Sequence, residues 1–437
     1  MKKRIFIILT LIFAVLMLAS CGKKDKDRAE IPAEEPVPEI ISTPAPSSTP
    51  KISQNYNSID ETGKDQKSAV KNELMEAAEG CRDIYEQADK GECLNVVLSK
   101  DVVYAMVERI AQMGYPAVDY LGELDMQYPD PIVEFGSTIA TGHDTGVSYF
   151  TVYEDGQISV YHIGRENGMW YLIAMSAAWD RDCKPKVISE GRYVIGDVQF
   201  TEKGWLIYNR DTESFDDNQR SNTNSYVFVR VLPYDSTKRS LCERYIKPVG
   251  YFENNLFTTT WDSGNMGPID FNSLYSQLFG MYVGTDPLSS GNAAEYFSTV
   301  EGTRLFIIPT ETFENTVTSY FNIDTSVLKS ISDYSYRLGG YFFFGYQDGI
   351  YNVTPRIPEP EVVDYWYNSD GSLTMRVDAV NKWYGTDKAF SHDVTVMEDD
   401  AGGFKYISNT LYADENSIIP GCSLSSMLDM ERAKTAY

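Results

Sequence analysis

Three histidines are the natural starting points for acid–base or metal chemistry, and His143, His162 and His392 stand far apart in the chain. A zinc site or general base needs a second ligand or partner at a usable spacing, as in H-E-x-x-H. None of the three has such a neighbour in sequence. His162 alternates with Ile158 and Val160, and His392 precedes Val394 and Val396. Period two therefore puts both on the apolar side of a strand, where a core histidine is expected rather than a reactive one.

Nucleophile motifs fare no better. Ser326-Val327-Leu328-Lys329 has the S-x-x-K spacing of penicillin-interacting serine enzymes and falls at a predicted helix start, but no K-T-G or S-D-N follows it. The same spacing recurs at Ser20 and Lys23, Ser48 and Lys51, and Ser68 and Lys71, and no G-x-S-x-G occurs. No Gly-rich loop follows a strand in the way a phosphate cradle requires. Acidic clusters at Asp211, Glu213, Asp216 and Asp217, and at Glu398, Asp399 and Asp400, lack the spacing of an EF-hand and read as solvated loops. Neither a metal nor another cofactor is expected. A glycan-cleaving pair of carboxylates is defined by separation in space, so an exported hydrolase stays open as the alternative function.

The chain carries 63 Asp+Glu against 38 Lys+Arg, a formal charge of -25. Nucleic acid demands a basic footprint, so no nucleic acid partner is expected, and an anionic membrane surface would repel the folded body. The same charge favours solubility of that body.

The most specific signal lies at the start. Lys2, Lys3 and Arg4 precede an apolar run from Ile5 to Leu18, interrupted only by Thr10. That run falls short of the roughly 20 residues a bilayer span needs, and reads as the h-region of an export signal. Leu18-Ala19-Ser20-Cys21 then resembles the lipobox of bacterial lipoproteins. The resemblance implies cleavage after Ser20, a diacylglyceryl group on Cys21, and an extracytoplasmic protein anchored to the cell membrane by lipid. More than one acyl chain makes such anchoring stable. Residues 1-20 are thus the signal peptide, and 21-63 form a tether rich in Pro, Ser and Thr, with too little apolar surface to fold. From Pro32 to Pro50 alone it could reach about 60 Å at ~3.1 Å per residue.

Five cysteines remain after Cys21: Cys81, Cys93, Cys183, Cys242 and Cys422. An odd number cannot all pair. An exported location permits a Cys81–Cys93 bridge, with buried free thiols the other outcome.

The elements beyond the tether predict an α+β fold with helices packed on antiparallel β-meander sheets, in two or three domains. Val70, Leu74, Ala77, Cys81, Ile84 and Ala88 mark one face of a helix from near Asp65 to Gly91, and a second follows Ser99 with Val103, Met106, Val107 and Ile110 inward. Strands at 147–153, 157–163 and 169–177 are joined by Glu154-Asp155-Gly156 and Arg165-Glu166-Asn167-Gly168, and a further pair at 193–200 and 205–208 follows. Residues 64-186 form the N-terminal α+β domain and 187-352 the middle one, the latter with strands at 226–232 and 304–308 and helices at 271–279, from Pro309, and after Asp324. Through Tyr245-Ile246-Lys247-Pro248-Val249-Gly250-Tyr251 and Ile308-Pro309-Thr310-Glu311 the middle segment resembles uncharacterised surface lipoproteins of Gram-positive anaerobes, a resemblance that implies no activity. Pro355, Pro358 and Pro360 act as a hinge before a C-terminal unit, 353-437, whose four-stranded antiparallel sheet must be covered by the middle domain.

With no catalytic, cofactor or metal residues to name, the function expected is non-catalytic binding or support of an envelope complex. Aromatic side chains are the candidate surface. Trp366 sits in a strand with Tyr365 and Tyr367 on the opposite face, while Trp383 and Tyr384 lie in the loop after the next strand. Exposed rings there would meet cell-wall glycan or an envelope protein.

Overall fold

The three- and four-residue recurrence of Val70, Leu74 and Ala77 produces helix α1, Ile59–Gly80, with those side chains buried, and it begins ahead of the boundary placed at residue 63. The helix does not continue to Gly91. A short α2, Arg82–Gln87, follows after a break at Gly80. Arg109 explains the break: its Nη1 takes the Gly80 carbonyl at 2.8 Å and pairs with Asp83 at 3.1 Å. Helix α3, Lys100–Gln112, turns Val103, Met106, Val107 and Ile110 inward as expected. The computed structural model describes residues 59–91, 96–122, 124–209, 226–284, 298–299, 305–344 and 356–421. These all belong to one compact unit, Ser58–Tyr437, distinct from Met1–Asn57.

The three helices cover one face of a five-stranded sheet in the order β1 (Ala117–Asp119), β2 (Thr145–Val152), β3 (Ile158–Glu166), β4 (Met169–Trp179) and β5 (Pro185–Ile195). Asn167 and Gly168, both at positive φ, make the tight β3–β4 turn that the sequence signalled. Two features differ from expectation. Strand β1 is parallel to β2, reached through the crossover helix α4, Asp130–Thr138, and β5 begins at Pro185 rather than Tyr193, running across the boundary placed at 186. The sheet's other face packs on α4 and on a three-stranded sheet of β6 (Val198–Phe200), β7 (Trp205–Asn209) and β8 (Tyr226–Arg230), through Val147, Ile163 and Leu172 against Val198, Leu206 and Val229.

A second core gathers the rest. After α5 (Ser236–Leu241), a π-helical turn Cys242–Ile246 and β9 (Trp261–Asp262) come α6 (Phe271–Val283) and the sheet β10-β11-β13-β12, whose strands are Ser298–Thr299, Leu305–Pro309, Gly340–Phe344 and Tyr334–Ser335. Helices α7 (Thr310–Tyr320) and α8 (Thr325–Ile331) connect β11 to β12, and the Phe313 ring lies between Tyr275 and Tyr341 at 5.1 and 3.9 Å. The C-terminal strands β14 (Glu359–Tyr367), β15 (Leu373–Val380), β16 (Ser391–Glu398) and β17 (Phe404–Tyr412) form the expected antiparallel sheet, to which β9 adds a fifth strand.

Val362, Met375, Val377, Val394 and Val396 share one core with Tyr245, Leu256, Phe257 and Phe271, so no core boundary falls at residue 352. Pro360 is no hinge: it pairs with Ala379 inside β14, an edge strand, where the missing N–H leaves no partner unsatisfied. Pro355 lies outside the described residues. Among the described residues no helix is long and apolar enough to cross a membrane.

Candidate functional site

Strand β2 alternates Phe150 and Val152 toward the helices with Tyr149 and Thr151 on the other side, and Tyr153 continues that second row beyond the strand end. Tyr161 of β3 stands opposite Tyr149 in register. This row forms one wall of a cleft of about 730 Å³, within the span of roughly 300–1,000 Å³ typical of small-ligand sites. The rings brace one another. Tyr120 stacks on Tyr153 at 4.4 Å and Tyr149 on Tyr161 at 5.1 Å, while hydroxyl pairs join Tyr153 to Tyr161 at 3.0 Å and Tyr149 to Tyr208 at 2.9 Å. Burial, reinforced by the Tyr161 hydroxyl, pushes the Tyr153 phenol well up, so it remains a hydrogen-bond donor at any physiological pH.

The lip of this wall is the turn after β1. Asp119, buried at the strand end, accepts the Leu124 N–H at 2.8 Å, and Tyr120 beside it is 61% exposed and lines the cleft.

Opposite stand β7, β8 and the edge strand β14. Trp205 Nε1 donates to Glu361 Oε2 at 3.1 Å, its ring meets Phe228 edge-on, and the Arg230 guanidinium lies 5.0 Å from it. Glu361, only 6% exposed, also accepts Arg230 Nη1 at 2.6 Å. Tyr234 is fixed by Val362, donating to its carbonyl at 3.0 Å and accepting its N–H at 2.9 Å; burial pushes this phenol up too.

Charge in the cleft balances. Asp119, Asp125, Glu359 and Glu361 face Arg230, Arg239, Lys247 and Lys382, four of each sign, on a chain whose formal charge is -25. Arg239 pairs with Asp125 at 2.9 Å and Lys382 with Glu359 at 2.7 Å.

The residues singled out from sequence lie elsewhere. Trp366 is 37% exposed and pairs with Thr374 at one end of β15, whereas Trp383 and Tyr384 follow its other end. Six residues of strand, about 20 Å at ~3.3 Å per residue, separate the two places, so these rings do not make a single surface. Trp383 and Tyr384 instead flank Arg356, whose guanidinium lies 4.7 and 5.9 Å from their rings. Tyr365 packs on the core, while Tyr367 is exposed.

His392 is fully buried between Tyr251 and Asn409, and burial holds its imidazole down at about 4. His162 Nδ1 lies 3.0 Å from Ser148 Oγ, which donates to Glu73 at 2.8 Å. Here the hydroxyl is in the middle, the wrong order for a nucleophile whose base must sit between it and the carboxylate. His143 is exposed in a loop. Lys329 is held by Glu314 at 2.9 Å, and Asp324 caps the helix by accepting the Ser326 N–H and hydroxyl, so the S-x-x-K spacing assembles nothing. Glu398 pairs with Arg244 at 3.0 Å, and Asp399 closes the turn to Gly403. Among the described residues no three metal-binding side chains cluster. Cys81, Cys183 and Cys242 are free thiols, so the Cys81–Cys93 bridge is not formed. Cys21, Cys93, Cys422 and the cluster from Asp211 to Asp217 lie outside the described residues.

Sequence reasoning passed over the cleft. Its one readable signal was Tyr149, Thr151 and Tyr153 at period two; the opposite wall comes from segments about 50 to about 210 residues further along the chain, for which spacing gives no clue.

Residues 67–423 match the model of DUF6070, a family of unknown function, and the chain belongs to that family. No curated protein and no solved structure matches the chain.

Proposed function

We propose that this chain is a membrane lipoprotein of the extracytoplasmic face, anchored through Cys21, whose folded unit binds a ligand in the tyrosine-walled cleft without transforming it. The observation that carries the binding reading is the cleft of about 730 Å³, in which stacked rings face carboxylates already engaged by cations or a backbone N–H. The anchoring reading rests on Leu18-Ala19-Ser20-Cys21 after a basic and apolar leader. A tether of about forty residues would hold the acidic body clear of the lipid it repels.

The test separates location from activity. The full chain and its Cys21→Ala variant are expressed in a Gram-positive host and subjected to detergent phase partitioning. The parent is expected in the detergent phase and the variant in the aqueous phase or medium; equal retention of both overturns the anchor. Purified full chain incubated with cell-wall glycan is expected to release no fragments. Release of reducing ends that is lost in Glu361→Gln would turn the reading to the hydrolase.

A further inference from the structure

We infer that the cleft selects an uncharged oligosaccharide. The inference rests on the reading of the cleft as a binding site and adds the class of ligand. Three observations on the two walls converge on it.

The first is ring placement. Tyr120 lies 61% exposed at the lip and is stiffened from behind by its stack on Tyr153, while Trp205 stands on the opposite wall with its indole N–H already committed to Glu361. A pyranose offers an apolar C–H face to such rings and polar edges around them. Rigid, braced aromatics give up little conformational entropy when they bind it.

The second is polarity. The phenols lining the row can donate and accept hydrogen bonds, and the partly exposed pairs Arg239–Asp125 and Lys382–Glu359 have more donors and acceptors than one ion pair uses. Hydroxyl groups can bond to these charged partners strongly without bringing charge of their own.

The third is charge selection. Four acidic and four basic lining groups balance in number, while the acidic chain, with a formal charge of -25, repels anions at longer range. An acidic polysaccharide or nucleotide would be opposed by the whole surface. A cationic ligand would find the acidic exterior more attractive than the balanced cleft.

The experiment titrates the full chain, held in detergent micelles, with a panel of neutral tetrasaccharides of differing linkage and N-acetylation, followed by tryptophan fluorescence and calorimetry. Tetragalacturonate and tetra-alanine serve as the anionic and peptide comparators. At least one neutral tetrasaccharide is expected to bind at least tenfold more tightly than either comparator. Tyr120→Ala, whose ring is exposed and whose loss spares the fold, is expected to weaken that binding about two- to tenfold with unfolding unchanged. Trp205→Phe is the second variant, and it is expected to abolish the fluorescence change and weaken binding.

Preference for tetragalacturonate or tetra-alanine, with sensitivity to Tyr120→Ala, overturns the assignment of an uncharged oligosaccharide and leaves the cleft a binding site. Absence of binding by every neutral sugar also overturns it, as does sugar binding indifferent to both variants. Cleavage of a bound tetrasaccharide would instead overturn the non-catalytic reading of the protein.

Discussion

Arg230 Nη1 donates to Glu361 Oε1 across 2.6 Å, joining β8 to the edge of the C-terminal sheet over 131 residues of sequence. Lys203, from the β6–β7 turn, adds to the same junction: it lies 3.9 Å from Glu361 and 3.2 Å from Asp378. The junction therefore ties the three-stranded sheet to the C-terminal one at the cleft wall. A buried pair of this kind gains little over an apolar pair, but breaking it strands a charge.

Glu361→Gln keeps the shape and removes the charge that Arg230 and Lys203 face. It is expected to destabilise the protein by about 3 kcal/mol, seen as a lower urea midpoint at unchanged slope. Combined with Arg230→Met it should cost less than the sum of the two single changes. A Glu361→Gln protein as stable as the parent would mean that water, rather than the carboxylate, screens these cations.

The helices and hairpins were readable because local patterns decide them. Val103, Met106, Val107 and Ile110 carry a helical face, and Asn167-Gly168 carries a turn that requires two positive φ angles. The break at Gly80 was not readable, since its cause is Arg109 reaching over from another helix. The fifth strand of the C-terminal sheet, Trp261–Asp262, is two residues long and exists only because Ser408 and Asn409 of β17 pair with it. The cleft failed to show for the same reason. Trp205 and Glu361 meet by tertiary packing alone, whereas the aromatic run Tyr365-Trp366-Tyr367 drew attention merely by being contiguous.

Thiol chemistry gives a second test. Cys81 is fully buried with its Sγ against the Met106 carbonyl, and burial pushes the thiol up to about 12. Cys242, against the Pro360 carbonyl, is pushed up to about 11 by the same cause. Since the thiolate is the reactive form, neither should be alkylated by iodoacetamide in the native protein at pH 8, and both should be in guanidinium. Native labelling of Cys81 at the rate of a free thiol, located by peptide mapping, would contradict the packing described.

Limited proteolysis tests where the folded unit begins. Helix α1 starts at Ile59 and buries Val70, Leu74 and Ala77, whereas residues 22–58 offer Pro, Ser, Thr and Glu with no periodic apolar face. Proteases should cut first between Gly22 and Ser58 and leave a resistant product that starts near Ile59. A first cut inside 65–80 would show α1 to be loosely held, and with it the wall of the sheet that α1 covers.

The last prediction concerns acid. His392 has no exposed surface; its Nδ1 lies 2.7 Å from Asn409 Oδ1 and its Nε2 3.0 Å from the Tyr251 hydroxyl, and Phe257 stacks on the ring. Neutral imidazole satisfies both partners, with Nδ1–H donating and Nε2 accepting. Burial holds the folded pKa at about 4, below the unfolded value of about 6.5, and His162 is held at about 4 for the same reason. Between those limits the unfolded chain binds more protons than the folded one, so stability falls as the pH drops from about 6.5 toward 4 and is fully present above that window. Each histidine should contribute on the order of 3 kcal/mol to the loss. Chemical unfolding of the parent at a series of pH values should show that decline, and His392→Asn, although less stable at pH 8, should show a flatter one. An identical acid limb in parent and variant would mean that His392 is already protonated in the folded protein, with its buried charge met by the Tyr251 hydroxyl.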